Sequence, residues 1–121
     1  MAPSWEEPRV WVVHSQGGTA PGQAPRWPVS LGTGKALLRR PAVERRLDDD
    51  RVLIDVIGRA TYVLNPTAWA SWELCDGRRT ADQVVSELAR RYQVDEATVT
   101  PGLLRVLTVL EAAELVVEAD P

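Results

Sequence analysis

The sequence predicts an α+β domain, a three-stranded antiparallel sheet followed by three helices. Three observations lead there. Short runs rich in Val, Ile, Leu and Tyr, separated by turn residues, fill positions 42–65; helical apolar spacing replaces them from Pro66 onward; and capping residues punctuate that helical half at Asn65 and Thr80.

The elements follow in order. Residues 1–35 hold five of the nine prolines and most of the glycines, and such a segment buries too little to offset its ordering entropy. They are expected to form a flexible tail ahead of a domain spanning 36–119. Within the tail, "RVWVV" (9–13) has the β-branched and aromatic content of a strand and is able to dock. "AVERRL" (42–47) predicts the first strand of the domain, the aspartates at 48–50 a solvated turn, and "RVLIDVI" (51–57) the second strand. "GR" at 58–59 then turns the chain into "ATYVLN" (60–65), the third.

Asn65 followed by Pro66 is a helix start with a mechanism. The Asn side chain accepts a free amide hydrogen, and proline fits the first helical position because its missing N–H would be unpaired there anyway. The first helix is expected to run to Cys75, with Ala68, Trp72 and Cys75 on one face and Gly77 as the left-handed residue that ends it. Thr80 caps a second helix in which Val84, Val85, Leu88 and Tyr92 form the buried stripe. The third is expected to restart at Thr100 with Pro101 as its first residue, because proline then glycine disrupt a helix interior. Leu103, Val106, Leu107 and Leu110 line its core side, and "ELVVE" (114–118) closes as an extended segment. This order is the content of a winged helix-turn-helix fold with the wing at the front.

Composition excludes several functions. A net charge of −3 gives no general attraction to phosphate backbones or anionic lipid, so neither nucleic acid nor membrane is the expected partner. The single cysteine forms no internal disulfide, and one histidine, His14, assembles neither a metal site nor a Ser-His-acid set. The start lacks the basic region of a secretory signal, and a cytoplasmic, metal-free, non-enzymatic protein without a cofactor is expected. "GTGK" (32–35) lacks both the earlier glycine and the Ser or Thr of a phosphate loop. Trp69 and Trp72 read as packing rather than as a stacking platform, and Cys75 as a buried structural thiol.

"YVLNPTAWASWELCDGRRT", followed by "VVSELARRYQVD" and by the L-x-x-V-L-x-x-L of the third helix ending in "AAELVV", resembles the family of the pyrroloquinoline quinone biosynthesis protein D, the RiPP recognition elements, over about residues 42–118. The resemblance implies a non-catalytic domain that binds the leader of a ribosomally made precursor peptide and presents it to a modifying enzyme, such as a radical S-adenosylmethionine protein or a lasso-peptide protease. It implies that the leader adds as a strand to the edge formed by Ala60, Thr61, Tyr62, Val63 and Leu64, in a groove walled by the third helix. Within that helix Leu104, Leu107, Thr108 and Glu111 are the candidate contacts; Val106, Val109 and Ala113 form the opposite flank, and the sequence does not decide which flank faces the sheet edge. The departure from the family pattern lies at Pro101-Gly102. The alternative function, a winged-helix DNA-binding regulator, is opposed by a third helix offering Arg105 against Glu111 and Glu114. The strand-like "RVWVV" raises a further expectation: that the tail occupies the groove in its own chain, or in a neighbour as a swapped dimer.

Overall fold

The computed structural model describes residues 3–14, 36–40, 42–55 and 60–118. The elements are β1 (Val10–His14), β2 (Ala36–Arg39), β3 (Val43–Leu47), β4 (Asp50–Asp55), β5 (Ala60–Leu64), α1 (Pro66–Glu73), β6 (Asp76–Thr80), α2 (Ala81–Tyr92), α3 (Glu96–Ala112) and β7 (Val116–Glu118). The predicted meander is present as β3, β4 and β5, with Val52 opposite both Arg45 and Val63. In place of one three-stranded sheet there are two antiparallel sheets, in the orders β1-β5-β4-β3 and β6-β2-β7.

Alternation fixes the faces of the larger sheet. Ala60, Tyr62 and Leu64 of β5 are buried while Thr61 and Val63 are half-buried, as a period of two requires of a strand packed on one face. The buried set joins Leu53 of β4 against the helices, where Leu88, Leu103, Leu107 and Leu110 are wholly inaccessible. Trp72 belongs to the same core and its indole N–H donates to the carbonyl of Leu115 at 3.2 Å, so its polar tip is satisfied on burial.

The helix starts follow the sequence closely. Asn65 caps α1 by accepting from the amide of Ala68, and Thr80 and Gln83 form a reciprocal capping box at α2. Arg90 and Arg91 lie in the last turn of α2, where cations suit the helix dipole, and Gln93 closes it in the left-handed conformation at φ 54°.

Three expectations are corrected here. First, α1 ends at Glu73 with Leu74 as its cap, and Gly77, at φ 84°, lies inside β6. Its left-handed backbone serves a register irregularity: Leu37 faces Arg79 and Leu38 faces Asp76, so β6 runs past β2 with Gly77 and Arg78 skipped. Second, the smaller sheet formed by β2, β6 and β7 was not anticipated. Third, α3 does not restart at Thr100. It is continuous from Asp95, although Asp95 makes no side-chain cap bond and Pro101 is interior. The turn ahead of the proline is anchored by Val99, which is fully buried; burial of such a side chain contributes about 1.5–3 kcal/mol, which offsets much of the roughly 3 kcal/mol that an interior proline costs.

Candidate functional site

The edge predicted to be open is occupied. β5 lies between β4 and β1, and β1 pairs with it antiparallel from Val10 opposite Leu64 to His14 opposite Ala60. The expectation of an unpaired border at Ala60, Thr61, Tyr62, Val63 and Leu64 is therefore corrected: the chain's own N-terminal segment supplies the added strand. The physical reason was visible in its composition, since "RVWVV" is the strand-forming stretch of the tail and satisfies amides and carbonyls that β5 would otherwise present. The rest of the tail, residues 15–35, with the Gly-Lys dipeptide at 34–35, lies outside the described residues.

The register places Val10 and Val12 on the helix side beside Leu64 and Tyr62, where both are half-buried, and leaves Trp11 and Val13 on the outer face at 47% and 46% exposure. Upstream of β1 the segment passes the end of β5 and crosses the helices. Asn65, almost wholly buried, holds it there. Its Oδ1 accepts from the amide of Arg9 at 2.9 Å while still accepting from Ala68, its Nδ2 donates to the carbonyl of Glu7 at 2.9 Å, and its own amide donates to the carbonyl of Arg9 at 3.2 Å. One side chain thus begins α1 and clamps an extended backbone.

Beyond Asn65 the segment meets α3 and α2. Pro8 is buried on Gly102, so close that a Cβ at 102 would lie 2.7 Å from Pro8 Cδ. Glu7 forms an ion pair with Arg105 across the exposed rim, and Trp5 stands edge-to-face on Tyr92 with ring centroids 5.4 Å apart. Burial raises the Tyr92 hydroxyl above its ordinary value, with the Arg91 cation opposing. Arg105, the cation on which a DNA-reading helix would depend, is committed to Glu7.

These contacts decide which flank of α3 faces the edge. Gly102 and Arg105 do. At 3.6 residues per turn Leu104 and Glu111 lie about 160–180° around the helix from Gly102, and Thr108 about 120°. Leu104 packs partly against the core and Thr108 donates its hydroxyl to the Leu104 carbonyl at 2.7 Å. The structure does not bring these three to the segment, and Leu107 is buried in the core with the segment in place. Sequence reasoning missed Asn65 as a clamp, and Gly102, Arg105 and Tyr92 as the groove wall. The available signal was Gly102, a glycine in a helix interior whose cost against alanine, roughly 0.5–1 kcal/mol, called for a close neighbour.

Elsewhere the residues singled out are structural. Cys75 is inaccessible, and burial pushes its thiol up to about 12, although Arg39 opposes this. Trp69 and Trp72 pack on each other at 5.0 Å, each with an arginine over its ring, Arg51 and Arg39 respectively. Among the described residues no group of His, Cys, Asp and Glu is arranged to hold a metal ion, and no helix is long and apolar enough to cross a membrane.

The profile of one family, described as coenzyme PQQ synthesis protein D (PqqD), matches residues 50–116, more than half of the chain. The match takes in β4, β5, the three helices and the first residue of β7, and so includes every groove residue except those the N-terminal segment contributes. No curated protein and no solved structure matches.

Proposed function

Because the chain belongs to the PqqD family, the family of RiPP recognition elements, we propose that it is a non-catalytic module that captures the leader of a ribosomally made precursor peptide by strand addition along Ala60–Leu64, in the place that β1 holds in this structure. It then presents that peptide to a separate maturation enzyme, such as a radical S-adenosylmethionine protein or a lasso-peptide protease. The observation that carries this reading is the Asn65 clamp: three of its polar atoms face the backbone of an extended segment, and they ask nothing of that segment's side chains. Backbone pairing of this kind gives hold, and neighbouring pockets give choice. Each hydrogen bond nets about 0.5–1.5 kcal/mol. Apolar contacts along Gly102 and Tyr92 must therefore supply much of the affinity, at roughly 25 cal/mol per Å² buried. By tethering, the module raises the effective concentration of the core peptide at the enzyme.

The test is an amide-shift titration of the isotopically labelled full chain with leader peptides drawn from short reading frames beside its gene. Shifts concentrated at β5, Asn65, Gly102 and Arg105 are expected. Shifts confined to the outer border of the sheet at β3, or none with any leader, would remove the reading.

A further inference from the structure

The N-terminal segment is held largely through its backbone. Of its described side chains only Pro8 is buried; Trp5, Val10 and Val12 are half-covered, and Trp11 and Val13 face outward. β5, in the interior of the same sheet, buries Ala60, Tyr62 and Leu64 fully, whereas the border strands β1 and β3 bury none of their described side chains fully. The segment is attached through backbone pairing, one buried proline, one aromatic contact, the Glu7–Arg105 ion pair and the half-covered Val10 and Val12. That is the pattern of a docked peptide ligand.

The groove is shaped to the proline and the aromatic residue. Gly102 has ordinary helical backbone, so its missing side chain is not required by conformation; what requires it is the Pro8 ring, which has no flexible end to move aside. Tyr92 presents its ring to Trp5 three residues upstream of that proline. Downstream, β1 offers Val10 and Val12 to the helix side, two and four residues after the proline. The groove thus reads an aromatic residue, a proline three positions later, and two β-branched residues at alternate positions beyond it.

Resting on the leader-capture reading, we infer that Trp5–Val12 is a resident stand-in for the partner peptide. The groove selects extended peptides carrying this aromatic-x-x-Pro-x-β-x-β pattern, and it receives them only by displacing the segment. Covalent attachment gives the resident copy an effective concentration of the order of mM. The apparent affinity for an incoming peptide is reduced by the fraction of molecules whose groove is vacant. A weak or partial leader is therefore refused, and a full one admitted.

The experiment uses the full chain and a full-chain variant altered only in the segment, Trp5→Ala with Pro8→Ala and Val12→Asp, which leaves every groove residue intact. Both are titrated calorimetrically with a synthetic peptide identical to residues 3–14, and with the same peptide carrying alanine for its tryptophan at 5 and its proline at 8. The inference expects the first peptide to bind the variant at least tenfold more tightly than it binds the unaltered chain, and the alanine peptide to lose at least tenfold on the variant. Equal affinity of the two peptides for the variant, equal affinity of the first peptide for both proteins, or no binding to a variant that still melts cooperatively would overturn it. If the triple variant does not fold, Val12→Asp alone replaces it under the same criteria. A leader peptide that shifts β5 and α3 amides equally in both proteins overturns this inference while leaving leader capture standing. A failure of every leader to shift those amides in either protein removes leader capture itself.

Discussion

Pro8 and Gly102 fit as ring to gap. The proline comes from the N-terminal segment and the glycine from the middle of α3, and a Cβ on the glycine would approach Pro8 Cδ to 2.7 Å. Alanine in place of a helix-interior glycine ordinarily stabilises by about 0.5–1 kcal/mol. Here the sign is expected to reverse. Gly102→Ala should destabilise the full chain by about 1–3 kcal/mol, the usual cost of overpacking, and the loss should shrink or turn into a gain in a Pro8→Gly background. Denaturant melts of the two single variants and the double variant give the coupling directly.

Asn65 separates its two duties by atom. Asn65→Asp keeps the acceptor that caps α1, where a negative charge suits the helix start, and removes the donor to the Glu7 carbonyl. The helix should persist while protection of the β1 amides against hydrogen exchange falls about two- to tenfold, the equivalent of one hydrogen bond. Asn65→Ala should lose the cap as well, for about 1 kcal/mol more. Equal protection of β1 in all three proteins would show that the clamp contributes nothing.

Tyr92 reports whether the segment is in place. Burial holds its hydroxyl above the ordinary value near 10. A raised folded value means that the neutral phenol favours the fold: this contribution is complete below about pH 10 and is lost as pH rises through the folded value. Trp5→Ala uncovers the ring, so phenolate absorbance at 295 nm should develop at lower pH in that variant. Unchanged titration would show that Trp5 does not cover Tyr92 in solution.

Cys75 should be chemically silent. A thiol raised to about 12 by burial carries almost no thiolate at pH 8. Native protein should take up no aromatic disulfide reagent on the minutes scale, and denatured protein one equivalent. Prompt native labelling would mean that α1 and β6 separate readily.

How much of this was legible before any coordinates follows from how local each signal is. Asn65-Pro66 and Thr80 state their capping roles within a few residues, and the leucines of α3 state theirs by spacing; all stand in the structure. The strands β2 and β6 were not legible because "ALLR" and "DGRRT" carry no alternation, and their pairing joins distant parts of the chain. The continuity of α3 through Pro101 was not legible because the rule against interior proline is a local one, whereas the burial of Val99 that offsets its cost is tertiary. The groove flank was left open for a different reason. Spacing defines two flanks of α3, Leu104, Thr108 and Glu111 on one and Val106, Val109 and Ala113 on the other, and the contact of Pro8 with Gly102 that chooses between them is tertiary.

The smaller sheet carries a consequence for how the molecule is made. Its middle strand, β2, has Leu37 opposite Arg79 on one side and Glu118 on the other. During vectorial synthesis on the ribosome β2 emerges early and waits for both neighbours, and contacts between such distant residues form slowly. The hairpins of the larger sheet pair as they appear. Closure of the smaller one is deferred until residue 118 has cleared the exit tunnel, so a chain stalled short of that point carries β2 with one border unmet.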